Sequence, residues 1–90
     1  MDEKMRKKHE IILTERKKML ITAIKDVFSF DEQLIELETI DGYLDIRGSN
    51  LHIVKMNLES GEMLVEGKIN NIEYYNGTHD KKKSFRIFKK

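Results

Sequence analysis

Apolar side chains recur at every second residue along most of this chain, in short runs separated by turn-forming residues. A chain so patterned is committed to sheet. Gln33 to Ile40 places Ile35, Leu37 and Thr39 on one face and Leu34, Glu36 and Glu38 on the other, the two-residue period of a half-buried strand. Asp41-Gly42 follows, a dipeptide suited to a tight hairpin. Beyond it Leu44 and Ile46 point away from Tyr43, Asp45 and Arg47. Upstream, Ile11 to Thr14 and Met19 to Ile24 are β-prone runs on either side of the charged turn Glu15-Arg16-Lys17-Lys18. In Asp26 to Phe30, Val27 and Ser29 alternate with Phe28 and Phe30, and Asp31-Glu32 makes the next turn. Further turns are expected at Gly48-Ser49-Asn50, Ser60-Gly61 and Asn76-Gly77. No stretch of a dozen residues carries a strong apolar stripe at the helical period.

Two phase changes interrupt the alternation. Leu51 and Ile53 share one phase, whereas Val54, Met56 and Leu58 take the other. A β-bulge or a strand passing between two sheets accounts for such a shift. The second change separates Ile69 from Ile72 and Tyr74, shortly after Gly67, where a bend or close backbone approach is expected. There is also an internal echo: Gly42-x-Leu44-x-Ile46-x-Gly48 recurs as Gly61-x-Met63-x-Val65-x-Gly67, an offset of 19 residues that also carries Ile53 onto Ile72. Two copies are too few for a solenoid, so the echo reads as a pseudo-symmetric pair of hairpins. The expectation is an all-β fold, a small sandwich or β-roll of about eight short strands joined by tight Gly-containing turns. Residues 10–75 form its single domain, with a flexible basic arm at 1–9 and a basic, aromatic-containing tail at 76–90.

Composition narrows what such a domain does. Ninety residues, 39% of them hydrophobic, suffice for one modest core. With no cysteine there is neither a disulfide framework nor a thiolate metal site, which fits a reducing compartment. Met1-Asp2-Glu3-Lys4 opens on charge rather than a signal-peptide core, and no segment reaches the roughly 18–20 apolar residues of a membrane span. A soluble, cytoplasmic protein is expected. The net charge of +1 conceals an acidic body with basic ends: residues 1–18 carry +3, residues 19–80 carry −8 and residues 81–90 carry +6. A nucleic-acid-binding fold places positive charge on its folded surface, whereas this body repels phosphate. Nucleic acid is therefore the alternative partner, a small regulatory module gripping it through the basic termini.

Catalytic constellations are missing. His9, His52 and His79 lie far apart and belong to no metal-binding spacing, so no metal and no cofactor is expected. His52, between Leu51 and Ile53, belongs on an exposed or rim face. Ser29, Ser49, Ser60 and Ser84 stand in no nucleophile elbow. Glu36 with Glu38, or Asp45 with Glu66, pair as carboxylates, but paired acids become general acid and base only where burial separates their pKa values. Alternation assigns them to the polar face, solvated and ionised. The protein is expected not to be an enzyme. Binding is the remaining class. Exposed edges on a small sheet favour pairing with another chain, so a homo-oligomer through strand edges is expected. The tail interleaves cations with apolar rings. Lys81, Lys82, Lys83, Phe85, Arg86, Ile87, Phe88, Lys89 and Lys90 suit contact with an anionic membrane surface or a partner. Completion of the core by Phe85, Ile87 and Phe88 as a last strand, and stacking on nucleic acid, stay open beside it.

From Ile24 onward the order of motifs becomes specific. Ile24-Lys25-Asp26-Val27-x-Ser29-Phe30-Asp31 precedes Leu37-Glu38-Thr39-x-x-Gly42-x-Leu44-x-Ile46-x-Gly48-x-x-Leu51-His52-Ile53. Then come Leu58-Glu59-x-Gly61 and Val65-Glu66-Gly67-x-Ile69-x-x-Ile72-x-Tyr74. This pattern, over roughly residues 11–75, resembles the YabP/YqfC family of bacterial sporulation proteins, and the length and basic tail resemble its YabP branch. Ala23 departs from the glycine expected before this stretch. The resemblance implies a protein made in the mother cell of an endospore former, structural or assembly work in the spore envelope, and no attached catalytic activity. It carries over no functional residues, because the recurring positions are turn glycines and inward-facing apolar residues. The implied setting is the mother-cell cytoplasm, peripheral to the membrane surrounding the developing spore, with other sporulation proteins as partners of unknown identity.

Overall fold

The alternating runs form six strands in the computed structural model, which describes residues 8–76. These are β1 (Ile11–Thr14), β2 (Lys18–Ile21), β3 (Ile24–Phe30), β4 (Leu34–Thr39), β5 (Gly42–Asn57) and β6 (Glu62–Tyr75). All pairings are antiparallel, in a single sheet of order β1-β2-β6-β5-β4-β3. The all-β expectation holds. The strands number six rather than about eight because Gly48-Ser49-Asn50 and Gly67 bend the chain without breaking it. β5 and β6 run straight through those positions. The expected tail contacts, Lys81 to Lys90, and arm residues 1–7 lie outside the described residues. Lys8 and His9 are fastened to the body: the Thr22 hydroxyl donates to the Lys8 carbonyl at 2.6 Å, and His9 Nδ1 meets the Thr22 carbonyl at 2.8 Å.

The bends divide the sheet into two halves. In the first, β1, β2, the N-terminal half of β6 and the C-terminal half of β5 lie side by side; Met19 faces Val65, and Val65 faces Ile53. In the second, β3, β4, the N-terminal half of β5 and the C-terminal half of β6 do the same; Ile35 faces Ile46, and Ile46 faces Ile72. One core draws on both halves, with Met19, Ile21, Met63 and Val65 from one and Ile35, Leu37, Leu44 and Ile46 from the other. Burial of each such side chain contributes about 1.5–3 kcal/mol.

The pairing exposes the meaning of the internal echo. The repeat relates the two strands of one long hairpin rather than two hairpins: Leu44 and Ile46 map onto Met63 and Val65, all four buried. Each repeat pairs outward with its own short strand, β4 in one case and β2 in the other. The sheet order is thus a palindrome about the β5–β6 seam. Gly48 and Gly67 sit where the seam bends. A Cβ on Gly48 would lie 1.9 Å from the Lys68 carbonyl oxygen, and one on Gly67 2.5 Å from that of Asn50, so only glycine permits the backbones this close. The phase changes are accounted for by register shifts in the β5–β6 ladder, one between Ile53 and Lys55, another between Arg47 and Gly48. Two further shifts in β3 turn Val27 toward the core and Ser29 outward beside Glu36, which the simple alternation did not anticipate.

Candidate interaction site

The outward faces of the two half-sheets differ in chemistry. On the second half, cross-strand neighbours Ser29, Glu36, Asp45 and Glu73 form an acidic row. Beside it the rings of Phe28, Tyr43 and Tyr75 make a ladder, the two tyrosines stacked with centroids 5.3 Å apart. Glu36 and Asp45 occupy the expected face but are not solvated: they are 3% and 2% exposed. The solvated-carboxylate expectation is therefore corrected. Both side chains stand on inner strands of the half-sheet, flanked on each side. Ser29 Oγ donates to Glu36 Oε1 at 2.8 Å, and Arg47 Nη2 donates to Asp45 Oδ2 at 3.3 Å. Paired acids facing each other directly are destabilising unless such partners offset them.

The first half-sheet presents the opposite character. Ile12, Leu20 and Leu64 are successive cross-strand neighbours, and Val54 lies in the bulge opposite Leu64. They form an apolar row across four strands, with Ile12 53% and Val54 48% exposed. Charges rim the row: Lys18 pairs across from Glu66, which lies 3.7 Å from His52 Nε2. His52 is exposed, as its position between Leu51 and Ile53 implied. Where this half-sheet meets the end of β3, a largely apolar groove of about 500 Å³ opens, lined by Phe30, Leu51, Ile53, Val54 and Met56 together with Asp31, Glu32, His52 and Lys55. Neither row nor groove was singled out from sequence. The available signal was the off-phase triplet Val54, Met56 and Leu58, explained by a bulge but not followed to the surface it creates.

The model of the family described as YabP matches residues 5–81 of this chain. The chain belongs to the YabP family. It is also 33% identical over 84 residues to a Bacillus subtilis (strain 168) protein described as "Spore protein YabP", covering 90% of this chain and 84% of that one. The YabP match spans every strand, so both the apolar row and the groove are built from residues within it. The YabP-type body contains no helix long and apolar enough to cross a membrane among the described residues.

Proposed function

We propose that this chain is a non-enzymatic sporulation protein with a structural or assembly role in spore envelope formation. Membership of the YabP family and the likeness to a spore protein support the sporulation setting. One observation carries the assembly role: the apolar row of Ile12, Leu20, Leu64 and Val54, half-buried at Leu64 and exposed at the other three, on a body this small. An apolar row rimmed by both signs of charge is what an association surface requires. The protein works in the mother-cell cytoplasm, and the cations of Lys81–Lys90 hold the assembly against the anionic membrane surrounding the developing spore.

The test is a Leu20→Lys, Leu64→Lys double variant expressed in sporulating cells as a fluorescent fusion. The unaltered protein is expected to gather at the developing spore and the variant to stay diffuse. Equal localisation of the two would remove the apolar row from the assembly. Reversing the six tail cations to Glu tests the lipid contact separately: undiminished co-sedimentation with anionic vesicles would dismiss it.

A further inference from the structure

The internal symmetry of the sheet predicts two equivalent open edges, and the molecule treats them differently. Because β2 and β4 each pair with only half of a long strand, the C-terminal halves of β5 and β6 have a strand on one side only among the described residues. At the β6 edge the opening is closed by polar bonds. Arg16 Nε donates to the Ile69 carbonyl at 3.0 Å, and its Nη2 donates to Asn70 Oδ1 at 2.7 Å. Further along, the Tyr74 hydroxyl is bonded to His9. The 19-residue offset carries Asn70, Asn71 and Glu73 back onto Leu51, His52 and Val54. At that β5 edge polar closure is replaced by the apolar groove, with Phe30 59% and Met56 43% exposed.

We infer that the β5 edge from Leu51 to Asn57 pairs antiparallel with the same edge of a second copy, about a two-fold axis near Val54. This rests on the assembly reading above and specifies its surface. Three features select a second copy as the occupant. Among the described residues, the bond from the Leu51 amide to the Glu32 carbonyl, 2.9 Å, is the last from the backbone on this side of β5 to a neighbouring segment before Asn57. The groove is self-complementary in charge: its lining carries the acids Asp31 and Glu32 from the end of β3 and the cation Lys55 from the strand. The Glu32 carbonyl is bonded to Leu51, so a two-fold near Val54 sets these acids opposite the other copy's Asn57, two residues from its Lys55, and each copy's Lys55 approaches the other's acids. Finally, the outermost edges offer less, since β1 has four residues and β3 carries two register shifts that disrupt a ladder. The added strand lays its Val54 and Met56 under the exposed Phe30 ring and continues the sheet from one copy into the next.

The absence of native cysteine makes a direct test available. Single cysteines are placed at Ile53, Val54 and Lys55 in the full chain, with Leu20→Cys as a surface control. Mild oxidation is expected to give disulfide-linked dimers fastest at one of the three edge positions, which faces itself across the axis. Val54→Asp is expected to weaken self-association at least tenfold in sedimentation velocity, with an unchanged far-UV spectrum. Mixing it with Val54→Lys is expected to restore association. Preferential cross-linking through Leu20→Cys would overturn the edge while leaving assembly through the apolar row intact. An unaltered protein that stays monomeric at all concentrations would overturn self-pairing, leaving assembly with a different partner to the localisation test.

Discussion

Ala23 joins β2 to β3 with φ of +60°, in the left-handed region, and its carbonyl accepts from the Ile40 amide at 3.1 Å. An L-residue in that conformation costs roughly 1–2 kcal/mol, a cost glycine escapes. The glycine expected at this position in the family pattern thus has a physical reason. Ala23→Gly is expected to raise stability by about 1 kcal/mol in urea unfolding, the relief of strain exceeding the entropy that glycine loses; a destabilised variant would contradict it. Tyr74 supplies the second residue-scale expectation. Burial first, and the Asp41 carboxylate second, raise its phenol above the ordinary 10.0. As pH rises the unfolded chain loses this proton before the folded one does. The stability linked to the group is therefore intact below about pH 10 and falls as pH climbs through the folded value. The stability gap between the protein and Tyr74→Phe is expected to be constant below that window and to narrow within it. A gap that stays level up to strongly alkaline pH would refute the assignment.

At the scale of elements, β1 is a four-residue edge strand that could not persist on its own ladder alone. Its entry is clasped by Thr22, whose Oγ1 accepts from the Glu10 amide at 2.9 Å and donates to the Lys8 carbonyl. Thr22→Val keeps the shape and removes both bonds, at about 1–2 kcal/mol. Amide exchange in β1 is expected to accelerate while β4 is little changed; equal acceleration throughout would show that the clasp is not local. How far the sequence revealed each element depended on how local its cause was. The β4–β5 hairpin was legible because Asp41-Gly42 and an unbroken alternation lie within a few residues of each other. Strand continuity through Gly48 and Gly67 was not, because those glycines serve contacts with Lys68 and Asn50, remote in sequence. The same holds for the site: Val54 and Met56 stood out by phase, but the groove exists only once β3 places Phe30 beside them. Burial of Glu36 and Asp45 escaped for a related reason, since alternation specifies a face and not what flanks it.

For the whole molecule, one cluster of apolar side chains binds together two half-sheets that are continuous through the bent β5–β6 seam. Neither half has a separate core: Met19 and Val65 of one half and Ile35 and Leu44 of the other belong to the same buried cluster. The two pseudo-symmetric units are therefore halves of one folding unit, and unfolding is expected to be a single transition. Met19→Ala tests this. Met19 is fully buried in β2, and truncation at such a site costs about 2–5 kcal/mol through lost burial and a residual cavity. If the halves are inseparable, exchange protection falls by the same free energy in β4 of the second half-sheet as in β2 and β6 around the altered residue. If β4 keeps its protection while β2 loses it, the palindromic sheet consists of two autonomous layers joined by a hinge. The bend at Gly48 and Gly67 would then permit motion between them rather than fix the shape of the edge and groove.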